Sequence, residues 1–187
     1  MIQSIDEFIR CAKSDINSKD ISRGTQDQFT DEVWRDLLMN YPNYHEWIAH
    51  NRYLPEWLMW AFSTSEDKDV KRTIAWRYDI PETLLRKLSG DVDPDIRRKA
   101  AWNLSCPRDV LERLSVDKSP RVREGVTANM RCPKDLLRKL SKDKSVHVRD
   151  SAKERLEIIQ RMGIPKIPEY WHISARYEWI PDPNPDE

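Results

Sequence analysis

Apolar and polar positions alternate along this chain with two different steps. The short step is helical: Val122 and Val126 lie four apart, as do Leu136 and Leu140, the spacing that puts side chains on one face of an α-helix. The long step is 26 residues, and it carries "DVKRTIAWRYDIPETLLRKL" (69–88) onto "DIRRKAAWNLSCPRDVLERL" (95–114) and then onto "RVREGVTANMRCPKDLLRKL" (121–140). One column holds Val70, Ile96, Val122 and Val148, followed by the basic column Lys71, Arg97, Arg123 and Arg149. Further columns hold Ile74/Ala100/Val126/Ala152, Ile80/Cys106/Cys132, Pro81/Pro107/Pro133 and Ser89/Ser115/Ser141, and each unit ends on leucines such as Leu84, Leu85 and Leu88. A worn earlier copy keeps the phase at Tyr44, Ile48, Ala49, Asn51, Pro55, Leu58, Met59, Phe62 and Ser63, and a partial fifth unit runs from Val148 to Leu156.

Each unit therefore predicts two short helices. The proline opens the second, because its fixed φ and missing N–H do no harm in a first turn. Asn51, Asn103 and Asn129 precede the break, where a left-handed residue that closes the first helix is expected. Asp91, Asp117 and Asp143 each stand six residues before Arg97, Arg123 or Arg149, a spacing suited to an acid–base ladder along a stack. One helix pair cannot bury its apolar stripe alone, whereas stacked pairs share a continuous core, so the expected fold is all-α, an α-solenoid of about 4.5 repeats. Residues 1–43, with helices expected at Ile5–Lys13 and Asp31–Met39, form an N-terminal cap; 44–157 hold the repeats; 158–187 form an irregular tail rich in proline and aromatics. Its first part is expected to lie along the last repeat, with Tyr170, Trp171, Tyr177 and Trp179 as cover.

The frame D-x(4)-V-R-x-x-x-A-x-N-x-x-x-P-x-x-x-L-x-x-L, with gaps and substitutions from Asp117 to Leu140, resembles the leucine-rich repeat variant family and, more distantly, HEAT-like repeats. The resemblance covers about 44–156. It implies a right-handed superhelix of short helices and a bacterial source. The cysteine cluster of the family's iron–sulfur member has no counterpart in this sequence, so the resemblance implies no cofactor.

Composition narrows the function classes. Hydrophobic residues are 39% and charged residues 34% of the 187, which suits an elongated fold with much surface. The formal charge of zero divides into −6 over residues 1–69, +9 over 70–161 and −3 over 162–187. A basic middle attracts an acidic protein or nucleic acid, unless the acidic ends neutralise it within the fold. Only four glycines are present, with no phosphate-cradling loop among them. The absence of a signal-peptide pattern and of a membrane-spanning run leads to the expectation of a cytoplasmic protein. Cys11, Cys106 and Cys132 show no CxxC spacing.

No residue pattern points to catalysis. His45 and His50 in "HEWIAH" lie five apart, about 140° around a helix, which is poor geometry for sharing a metal. His147 and His172 lack neighbours at ligand spacing, and Cys106 and Cys132 share an apolar column, as buried packing residues would. Asp79 and Asp109 are the carboxylates nearest a possible groove. Trp47, Trp57 and Trp60, spaced with Leu54, Leu58 and Phe62, are expected in core and cap. Trp76 and Trp102 fall about 200° from the core positions of their helices and are accompanied by Arg72, Arg98 and Lys99. These five form the candidate partner-binding ridge, since tryptophan and arginine dominate interface hot spots and also stack on bases. Two roles are open to the tryptophans at this stage, a binding face or a seal between adjacent repeats. The expectation is a non-enzymatic module binding another protein, an acidic one for preference, with nucleic acid as the alternative ligand.

Overall fold

The computed structural model describes residues 4–13 and 28–162. The expectations for the tail, including Tyr170, Trp171, His172, Tyr177 and Trp179, lie outside the described residues. Among the described residues the secondary structure is helical, without strands: α1 (Ile5–Lys13), α2 (Asp31–Asn40), a 3₁₀ turn (Pro42–Tyr44), α3 (His45–Ala49), α4 (Glu56–Phe62), α5 (Lys68–Trp76), α6 (Glu82–Leu88), α7 (Pro94–Trp102), α8 (Arg108–Leu114), α9 (Pro120–Ala128), α10 (Lys134–Leu140) and α11 (Val146–Met162).

The first helices of successive units pack in chain order, α3 on α5, α5 on α7, α7 on α9 and α9 on α11. Their apolar columns, Val70/Ile96/Val122/Val148 and Ile74/Ala100/Val126/Ala152, are fully buried, and the leucines of α6, α8 and α10 close the other side of one shared core. Phe8 of α1 joins that core edge-on to Phe29, Tyr44 and Trp47, with ring centroids at 5.7, 5.5 and 5.0 Å.

Local chemistry explains the boundaries. Asp67 and Asp93 cap α5 and α7 by accepting hydrogen bonds from the Asp69 and Asp95 amides, each at 2.8 Å. The prolines stand just before α6, α8 and α10, one position earlier than an opening residue of the helix. The break between the two helices departs from expectation. Asn103 (φ −59°, ψ 130°) and Asn129 (φ −65°, ψ 120°) are extended, not left-handed. The extended backbone lets each side chain reach the preceding unit: Asn103 Nδ2 donates to the Ala75 and Arg77 carbonyls at 2.9 and 2.7 Å, and Asn129 Nδ2 to those of Ala101 and Asn103 at 2.7 and 2.8 Å. Each Oδ1 meanwhile accepts the amide two residues on, from Ser105 and Arg131, at 2.8 Å. Orphan carbonyls at the end of one first helix are thus satisfied by the next unit.

Arg77 fills the same column with different atoms. Its Nη1 donates to the Ala49 and Asn51 carbonyls, both at 2.8 Å, while Nε and Nη2 hold Asp79 at 2.8 and 2.7 Å. The last unit does not break at all. Where the earlier units have proline it has Ile159, so nothing interrupts the backbone hydrogen bonds and α11 runs for 17 residues.

The acid–base ladder forms between units. Arg97 Nε and Nη2 hold both oxygens of Asp117 at 2.8 and 2.9 Å, and Arg123 holds Asp143 in the same way at 2.7 and 2.8 Å, each acid lying 20 residues on. Lys71 makes the corresponding single bond to Asp91 at 3.1 Å. The spacing of six found in the sequence appears as a second contact, in which Nη1 of Arg97 and of Arg123 donates to the carbonyls of Asp91 and Asp117 at 2.8 and 2.7 Å.

Candidate protein-docking face

The residues singled out in the sequence separate into a core that builds the scaffold and a small aromatic cluster on its surface. Trp76 and Trp102 end α5 and α7, the helices that pack directly on each other, and their indoles meet across the unit boundary with centroids 4.5 Å apart at 60°. Lys99, one turn before Trp102, places its ammonium 4.8 Å from the Trp76 ring centre and 5.4 Å from that of Trp102. Trp76 remains 45% exposed and Trp102 is half-buried, so the pair both bridges adjacent units and keeps an aromatic surface in solvent.

The two arginines of the ridge occupy different settings. Arg72 is ion-paired with Asp69 on its own helix. Arg98 lies 3.9 Å from Asp95, and its stem runs into the seam between α7 and α9, where a Cβ on Gly125 would stand 3.1 Å from Arg98 Cγ and 3.0 Å from its carbonyl oxygen. The structure brings Trp76, Lys99 and Trp102 together, and directs the Arg98 stem toward the following unit.

Trp57 and Trp60 correct the sequence reading. Both are 37% exposed, while Leu58, Met59 and Phe62 take the buried side of α4. Their columns in the later units are Thr83/Asp109/Asp135 and Arg86/Glu112/Arg138, the solvent side of the second helices, and this periodic signal outranks the spacing within one helix. Arg35 lies over the Trp57 ring at 5.5 Å and Lys87 over Trp60 at 5.6 Å. Lys87 also donates to Ser63 Oγ at 2.6 Å.

Much of the basic charge of the repeats is spent internally. Besides the ladder, Arg86 pairs with Glu82 and Asp109, Arg108 with Glu112 and Asp135, and Lys68 with Asp93. Asp79 and Asp109, the carboxylates nearest a possible groove, are thus committed to Arg77 and Arg86. Arg86 beside Asp109 holds that carboxyl below the ordinary range.

His45 is bound through Nε2 to the Leu38 carbonyl at 3.0 Å and packs against Phe62. Cys106 and Cys132 are buried, and burial pushes each thiol up to about 12, far from a thiolate nucleophile. Among the described residues no group of His, Cys, Asp and Glu is arranged to hold a metal ion, and no helix is long and apolar enough to cross a membrane.

Two surface depressions lie among the described residues at other places. One of 440 Å³ is lined by the inter-unit turns at 90–92 and 117–118 together with Arg97 of α7 and Arg113 of α8, and one of 360 Å³ lies between α10 and α11. Neither includes Trp76, Lys99 or Trp102. No protein-family model matches the chain, and no curated protein and no solved structure matches it.

Proposed function

We propose that this chain is a non-enzymatic interaction module, a right-handed α-solenoid of about 4.5 units resembling leucine-rich variant and HEAT-like repeats, that works in the cytoplasm. It docks another protein on the ridge of Trp76, Lys99 and Trp102. The observation that carries this reading is the contact of the two indoles across a unit boundary with one face left in solvent. A rigid scaffold then presents two large apolar rings with an ammonium over them, the side-chain types from which hot spots are built. The partner that fits offers apolar side chains to the rings and a carboxylate to Lys99.

Nucleic acid is the weaker reading, although the segment 70–161 carries +9. Arg72, Arg86, Arg97, Arg108 and Arg123 are each engaged by a carboxylate of the same chain, so these guanidiniums are already donating within the fold and are not free donors for phosphates. Capture from a nuclease-treated lysate, with the wild-type chain and a Trp76→Ser/Trp102→Ser double variant as baits, tests the choice. The proposal expects one protein retained by the wild type in nuclease-treated and untreated lysate and absent from the variant. Retention that disappears on nuclease treatment, or that falls about 1,000-fold or more between 50 and 200 mM salt as for many phosphate contacts, would replace it with nucleic-acid binding.

A further inference from the structure

The Arg–Asp ladder continues one rung past its last described acid. Arg149 Nη1 donates to the Asp143 and Lys144 carbonyls at 2.7 and 3.0 Å, just as Arg97 and Arg123 hold the carbonyls of Asp91 and Asp117. In Arg97 and Arg123 the other edge of the guanidinium, Nε and Nη2, clasps a carboxylate 20 residues on. That edge of Arg149 meets no carboxylate among the described residues, and the side chain is half-buried where Arg97 and Arg123 are buried. Twenty residues after Arg149 the sequence has Glu169.

The same end differs from the earlier units in two further ways. In α6 and α8 the exposed arginines are met by an acid of the following unit, Arg86 by Asp109 and Arg108 by Asp135. For α10 the residue in that acid column is Arg161, and Lys134 and Arg138 border the 360 Å³ depression over Leu156 and Ile159 with no ion pair among the described residues. Arg155, in the column of Asn103 and Asn129, buries its Nε without a hydrogen-bond partner among the described residues.

We infer that this terminal face is a binding site for the chain's own residues 163–187, with Glu169 as the clasp on Arg149. Charge supports this occupant, since residues 162–187 carry −3 against Lys134 and Arg138 at the depression and Arg149 near the start of α11. Reach supports it as well. The segment leaves from the end of α11, at the edge of the depression, and Arg149 lies 13 residues back, about 20 Å of helix. The seven residues from Met162 to Glu169 span about 23 Å when extended, and Pro165 and Pro168 favour that extension. Ile164 and Ile167, on the stretch between, supply apolar surface for Leu156 and Ile159. The inference stands apart from the docking ridge, which lies on α5 and α7.

Hydrogen exchange of the full chain tests it, with Glu169→Arg, Arg149→Glu and the double reversal. Slowed exchange over residues 164–175 is expected in the wild type, faster by about tenfold in either single variant and recovered in the double, as for a partly buried charge-assisted pair. Free-peptide exchange in the wild type, no change in Glu169→Arg, or no recovery in the double would overturn it. Glu169→Arg sits outside the repeats and stays informative if Arg149→Glu unfolds the last unit. Protection that grows with protein concentration would assign the face to a second copy and overturn it too.

Discussion

At the scale of single residues, the inter-unit contacts are polar ladders laid over an apolar core. Asn129 serves two carbonyls with one amide group in a fully buried setting, so Asn129→Ala strands those acceptors and the Arg131 amide and leaves a small cavity. Its expected cost is about 1–3 kcal/mol, measured by denaturant unfolding. The Arg–Asp pairs make stability depend on acid. Bonds from Arg123, together with the Ser145 amide, hold the Asp143 carboxyl below its ordinary value against the opposing effect of burial. For Asp117 burial acts to raise it, and Arg97, the Ser119 amide and Lys118 together outweigh that. A depressed carboxyl stabilises the fold at every pH above the ordinary carboxylate value of about 4, and that contribution fades as pH falls below it. Asp143→Asn is therefore expected to lower the unfolding midpoint at pH 7 and to lose less than the wild type between about pH 5 and 3. Equal acid sensitivity in the two proteins would remove Asp143 from the account.

At the scale of elements, the unit of two helices was legible because so many columns agree, and the core columns fall where that pattern puts them. What escaped was whatever depends on a neighbour in space. The conformation of Asn103 and Asn129 is set by carbonyls 26 and 28 residues back, which no local preference of asparagine encodes. Arg77 shares their column and was the available signal for its buried role. Trp57 and Trp60 face solvent because the columns they belong to are polar, and aromatic spacing within one helix does not carry that information. Gly125 shows the same dependence: it stands in the column of Lys99, and its missing Cβ admits the Arg98 carbonyl at 3.0 Å. Alanine there gains about 1 kcal/mol in helix propensity. The neighbour is backbone and cannot turn aside, so Gly125→Ala is expected to lower the thermal midpoint, and a rise would show that α7 and α9 can separate freely.

At the scale of the whole molecule, the five candidate residues were legible as a set, and three of them meet in the fold. Trp76, Lys99 and Trp102 converge, because one repeat length brings their columns side by side when α5 packs on α7. Arg72 and Arg98 shared the pattern and not the setting, since charge in a sequence does not reveal which acid it will meet. Arg97 and Arg123 are the clearest case, their guanidiniums held by Asp117 and Asp143 of the following unit. Scaffold and face should therefore be separable by mutation. The most direct measurement is the partner affinity of Trp102→Ala set beside its unfolding free energy, with Leu111→Ala as the core reference. The account predicts that Trp102→Ala loses about 2 kcal/mol or more of binding and little stability. Leu111→Ala, buried to 1% exposure, should lose roughly 2–5 kcal/mol of stability. A Trp102→Ala protein that unfolds as readily as Leu111→Ala, or that binds its partner undiminished, would contradict it and leave the tryptophans as the seal between two repeats.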